Sequence, residues 1–134
     1  MKVQHVATEW VAHTWPAVAP LLARALPHSR GDLELAHVQA LVHTGQWLLV
    51  VAHVDGIICA AATVEIFNRP TQRVAFVTAL GGRGVLTPDA FKQFSELLKT
   101  FGATHIEGAV RGSVARLWTR LGPVEKYRIV GAAL

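Results

Sequence analysis

Apolar positions along the chain change their spacing three times, and each change marks a change of element. After a short extended segment at 3–7 and a loop around Trp10, Val18, Leu21, Leu22, Ala25 and Leu26 recur three and four residues apart. That spacing is one face of a helix. Thr14 stands where an N-cap belongs, Trp15 and Pro16 fill the first turn, and Pro27 is the expected stop. A polar break at 28–31 separates it from a second helix, predicted to be capped by Asp32, to bury Leu35, Val38, Leu41 and Val42, and to close at Gly45.

From Gln46 onward the pattern is that of strands. Residues 47–52 are apolar and rich in β-formers, and Asp55-Gly56 is the strongest hairpin signal in the chain. It predicts an antiparallel meander of 47–52, 57–66 and 73–80, with a turn over Asn68, Arg69, Pro70 and Thr71. The stretch 76–84, FVTALGGRG, then joins a strand to a glycine turn. Just beyond it Thr87, Pro88 and Asp89 make a well-capped helix start, Phe91, Phe94, Leu97, Leu98 and Phe101 line that helix, and Gly102 ends it. A strand at 104–110, a short helix at 113–121 stopped by Gly122, and a last strand at 125–130 complete the order. A helix between the strands at 73–80 and 104–110 requires a crossover connection, hence a locally parallel pair.

Composition narrows the class. With 134 residues, 51% hydrophobic and 16% charged, the chain is expected to form one globular domain over 1–134. The single cysteine, Cys59, lies in an apolar run and supports no disulfide framework. No apolar run reaches spanning length, so the expected setting is cytoplasmic, with no membrane partner. The net charge of +4 comes with dispersed arginines and no interleaved aromatics, which sets a nucleic-acid partner aside. Seven histidines raise the question of a metal, but His37 and His43 are six apart and share no helix face, and no metal site is expected.

A strand, a glycine turn and a helix N-terminus in succession gather unpaired backbone N–H groups, which is how phosphates are held. The same glycines also serve an ordinary turn, since glycine takes positive φ without strain.

The order of elements, with Gly82 and Gly84 spaced as in the pyrophosphate motif Gln/Arg-x-x-Gly-x-Gly/Ala, resembles the GNAT superfamily of acetyl-coenzyme A dependent N-acetyltransferases. Ala79 stands where that motif has Gln or Arg. The resemblance implies an α/β (α+β) fold with a mostly antiparallel central sheet and helices on both faces. It also implies an acetyl-CoA site at Thr78, Leu80, Gly81, Gly82, Arg83 and Gly84. The segment IEGAVRGSVARLWTRLG resembles, through Arg111, Gly112, Trp118 and Arg120, the small GNAT-like proteins of tailed bacteriophages. That implies a host cytoplasm or virion setting, with other virion or complex proteins, or a second copy, as partners.

Acetyl transfer to an amine needs a base, an acid for the leaving thiolate and an N–H for the oxyanion. The family's glutamate on or beside the fourth strand is missing from 73–80, and Glu65 on the preceding strand is the nearest carboxylate. Its alternative is an outward-facing strand residue, as for Glu107. Trp118 falls where the family's acidic tyrosine is expected, and Tyr127, the only tyrosine, is the remaining candidate. The oxyanion donor would be a backbone N–H near Thr78 or Leu80. Two functions follow: an acetyl-CoA-binding protein with N-acetyltransferase activity on an amine, or the same fold kept without catalysis as an assembly component.

Overall fold

The structure, a computed structural model, describes residues 1–84, 87–110 and 112–134, and nothing of the Ser113 side chain. Strands β1 (Lys2–Val6), β2 (Trp47–Val54), β3 (Ile57–Arg69), β4 (Gln72–Gly82) and β5 (His105–Gly108) form one sheet in chain order. β1 to β4 pair antiparallel, and β5 joins β4 parallel. Helices α1 (Val11–Ala25) and α2 (Leu35–His43) precede β2, while α3 (Pro88–Lys99) and α4 (Gly112–Thr119) flank β5 in the chain.

Each face of the sheet is buried by its own helices. α1 and α2 place Val11, Trp15, Val18, Leu22, Val38 and Val42 against Trp47, Leu49, Val51, Ala61 and Ala79. On the opposite face α3 and α4 place Phe94, Leu98, Val114 and Trp118 against Ala62, Val64, Ala75, Val77 and Ile106. The expected α/β architecture with a mostly antiparallel sheet and helices on both faces is therefore what forms. Among the described residues no helix is long and apolar enough to cross a membrane.

Several local expectations are corrected. α1 begins at Val11, not after a Thr14 cap, and carries Pro16 and Pro20 inside it. Each proline removes a backbone donor, but the fully buried stripe of Val11, Val18 and Leu22 outweighs that loss. α2 is capped by Glu34, not Asp32; Glu34 and His37 form a reciprocal capping box, and Asp32 instead pairs with Arg30 at 3.2 Å. The glycine stretch begins inside the sheet: Gly81 and Gly82 ladder with Ala61 and Ala60 as the end of β4. No strand forms at 125–130. That segment lies outside the sheet, tied to β5 by a side chain, Lys126 Nζ donating to Glu107 Oε2 at 2.8 Å.

Candidate functional site

The site begins where two strands part. β4 and β5 pair only from Val74↔His105 to Val77↔Gly108. From Ala79 to Gly82, β4 continues to pair with β3 but not with β5. At the same level Thr78 is an extra residue opposite β3, because Val64 pairs with Val77 while Thr63 pairs with Ala79. Such a bulge bends the strand and re-aims its groups. It is fixed from inside by two buried hydroxyls: Thr63 Oγ1 and Thr78 Oγ1 lie 2.7 Å apart, and Thr78 Oγ1 donates to Thr63 O at 3.0 Å.

The parting leaves a cleft of about 140 Å³. Val77, Thr78, Ala79 and Leu80 of β4 form one wall, and Ala109 and Val110 beyond β5 with Val114 and Trp118 of α4 form the other. The connection between α1 and α2 closes one end with His28 and Ser29. Ser29 Oγ donates to Thr78 O at 2.6 Å, and Arg30 lies over the Trp47 ring 5.8 Å from its centroid. The two residues that follow His28 thus tie the connection to the bulge and to β2. Trp118 is buried, and its indole Nε1 is the buried side-chain polar atom without a hydrogen-bond partner among the described residues.

The residues expected to hold the cofactor have distinct surroundings. Gly81 has no room for a side chain, because a Cβ there would fall on the Leu21 carbonyl of α1. At Gly82, with φ of +114°, it would fall on the backbone of Cys59 and Ala60. Close packing of helix and strand accounts for both glycines without a ligand. The Arg83 N–H already donates to Cys59 O at 3.0 Å, whereas its side chain is exposed. Gly84 has φ of +73° beside Met1. The rest of the loop, Val85 and Leu86, lies outside the described residues.

At the N-terminus of α3, Pro88 brings no N–H, Thr87 Oγ1 accepts from Ala90 N at 3.2 Å, and Asp89 places a carboxylate. This helix end is already capped and carries a negative charge, so it adds little to an anion cradle. One wall of the cleft is a strand edge that has no strand partner among the described residues, and the other is apolar. Arg83 and Gly84 follow the end of β4 and are not among the residues that line the cleft.

Neither side chain expected to do acid–base work lines the cleft. Glu65 lies on the α1–α2 face of the sheet in a row with Trp47, Phe76 and Glu107, each in register with the next. Two inter-strand steps put Glu65 about 10 Å from Glu107 at the backbone. Glu107 is buried and engaged: Arg69 Nη1 donates to its Oε2, Arg69 Nη2 to its Oε1 at 3.0 Å, and Lys126 to Oε2. Hydrogen bonding from Arg69, aided by Lys126 and opposed by burial, holds its carboxyl below the usual glutamate range. Tyr127 is 57% exposed, on the outlying segment near Arg69. Of the four residues carrying the phage-type resemblance, Arg111 lies outside the described residues. Sequence reasoning missed His28 and Ser29. Their signal was the polar break between two helices, which by itself reads only as a loop.

No protein-family model matches the sequence, and no curated protein does. Solved structures do match in fold. An aminoglycoside acetyltransferase from an uncultured soil metagenomic sample matches with a TM-score of 0.71 at 11% identity, covering 99% of this chain and 94% of that one. The ribosomal-protein-alanine N-acetyltransferase of Brucella melitensis matches with a TM-score of 0.71 at 14% identity, covering all of both chains. An aminoglycoside 6'-N-acetyltransferase of Acinetobacter haemolyticus gives 0.68 at 17%, covering 100% of this chain and 98% of that one. The chain thus has the fold of the GNAT N-acetyltransferases.

Proposed function

We propose that the protein is an N-acetyltransferase that takes its acetyl group from acetyl-CoA in the cleft between β4 and β5. The observation that carries this reading is the end of the β4–β5 ladder at Val77↔Gly108, with a bulge at Thr78 where the strands part. A sheet opened at one level offers backbone donors beside an apolar slot, as a thioester carbonyl requires.

Acetyl-CoA supplies an activated acyl group. The backbone near Thr78 and Leu80 orients the carbonyl and stabilises the oxyanion. The close-packed glycines Gly81 and Gly82 keep α1 and β3 tight against the end of the strand. The Arg83 guanidinium and the Gly84 backbone meet the phosphates, and the apolar far wall excludes water. The amine enters from the α1–α2 side, across the face that bears Glu65 and Phe76. Assignment to the phage-encoded type rests on the sequence resemblance alone.

Calorimetry with acetyl-CoA, beside desulfo-CoA as a control, and thiol release with a panel of primary amines test the reading. The panel holds an aminoglycoside, a peptide with N-terminal alanine and a polyamine. Micromolar binding, about 8 kcal/mol, together with turnover on one amine is the expected result. No binding at millimolar cofactor would remove the proposal.

One observation favours a second reading, an assembly component. Val124, Tyr127, Ile129 and Val130 expose 57 to 92% of their surface on the outlying C-terminal segment. A second copy or another protein covering them would show as a larger species in size analysis.

A further inference from the structure

Small residues gather at one place on the α3–α4 face of the sheet. In register across the strands, Val3, Ala52, Ala60 and Gly82 form one row, and Val50, Ala62 and Leu80 form the next. Above these rows stand Ala90, Phe91 and Phe94 of α3 and Trp118 of α4. Methyl groups on the strands and at Ala90 do not fill the space that the rings span, and a cavity of about 40 Å³ remains. Protein interiors seldom leave a gap larger than one water. A water-sized group needs about 10–15 Å³ of such space, so this cavity takes about three. The described side chains around it are Ala, Val, Leu, Phe and Trp, which suit hydrocarbon and offer water too few partners.

The cavity adjoins the cleft. Leu80 and Trp118 line both, so the two spaces meet across one side chain of β4 and one of α4. With a thioester carbonyl against the backbone near Thr78 and Leu80, an acetyl methyl ends at this partition, whereas a longer chain continues past it. We propose that the preferred donor is a short-chain acyl-CoA of about four or five carbons, its tail held in this cavity, an inference that rests on the acetyltransferase reading above. Acetyl-CoA is then the poorer donor, because it leaves the cavity unused.

The transfer keeps its balance whatever the chain length. The amine nitrogen attacks the thioester carbonyl carbon and a C–N bond forms. The C–S bond breaks, its electron pair leaves with sulfur, and the proton lost by nitrogen ends on the thiolate. The products are an N-acyl amide and free coenzyme A.

Calorimetry with acetyl-, butyryl-, hexanoyl- and octanoyl-CoA tests the proposal without an acceptor amine. A buried methylene is worth about fourfold in affinity, so butyryl-CoA should bind wild type about tenfold tighter than acetyl-CoA. Octanoyl-CoA, too long for the cavity, should bind more weakly than butyryl-CoA. Ala62→Val and Ala90→Leu fill the cavity from below and from above without touching the cleft lining. Each should bind butyryl-CoA no better than acetyl-CoA, with acetyl-CoA affinity within about twofold of wild type. Thermal melts report whether either variant has lost its fold, and the wild-type series decides without them. Equal affinities along the wild-type series, or a steady decline from acetyl-CoA, would overturn the inference and leave the acetyltransferase reading standing. A butyryl preference kept in both folded variants would also overturn it, by placing the chain elsewhere. No binding of any of the four donors removes that reading and the inference with it.

Discussion

Arg69, the last residue of β3, reaches across β4 to hold Glu107 of β5 through both terminal nitrogens. The clamp ties together two strands that share no backbone ladder. Because the folded state holds the Glu107 carboxyl below its ordinary range, its contribution is complete above the unfolded value of about 4.3. It is lost as pH falls through the lower folded value, since the unfolded chain then binds the proton first. Glu107→Gln should lower the melting temperature at pH 7 and flatten its decline on acidification. Thermal melts of both proteins from pH 7 to 3 would check this; parallel curves would rule out the linkage.

Glycine at 81 is a packing requirement. Gly81→Ala should destabilise by about 1–3 kcal/mol, because the added methyl forces α1 and β4 apart. Urea denaturation measures it, and a change within 0.5 kcal/mol, roughly the scatter of surface substitutions, would contradict the contact. Gly82 variants will likewise unfold the strand end before they report on ligand binding.

Thr78→Val removes one of two buried hydroxyls that satisfy each other at the bulge. The expected cost is about 1–2 kcal/mol in stability. If the bulge sets the strand edge for the thioester, acetyl-CoA affinity should fall in the same variant. Denaturation and calorimetry on one preparation separate the two effects.

On the acetyltransferase reading, charge just beyond the end of β4 should set cofactor affinity. Arg83→Ala is expected to weaken acetyl-CoA binding by about tenfold with no change in melting temperature, as its side chain is exposed. Asp89→Asn should act in the opposite direction. It removes a carboxylate from the first turn of α3, and affinity should rise about two- to fivefold. Calorimetry at low and moderate salt checks both, with smaller effects at higher salt.

What the sequence disclosed was whatever local chemistry controls. Asp55-Gly56 turns the β2–β3 hairpin with φ of 51° and 79°, and Thr87 caps α3 through its hydroxyl, both as the residue types predict. The meander, the crossover and the order of elements as far as α4 followed from spacing. What stayed hidden depends on partners distant in sequence. Pro16 read as the first turn of a helix, but the face of α1 that meets the sheet carries the helix back to Val11 and through Pro20. Residues 125–130 alternate as a strand does, yet Lys126 binds the sheet through its side chain. The glycines announced a loop, whereas two of them mark where α1 and β3 press on β4. The cleft was visible only in part: the level at which β4 and β5 separate, and the approach of His28 and Ser29 to it, are products of register and helix placement.

The cleft is a tear in the sheet, running from Thr78 to the strand end and stopped at Val77↔Gly108. A tear in any plate lengthens unless something below its tip carries the load. One residue before the tip sits Glu107, riveted to β3 by Arg69 and to the outlying segment by Lys126. The rivet fixes how deep an acyl group can sink, while above it the strand is restrained from the other side, by Ser29 Oγ on Thr78 O. Depth and width of the slot are therefore set by different parts of the chain, and a change at Arg69 should lengthen the slot without touching its walls.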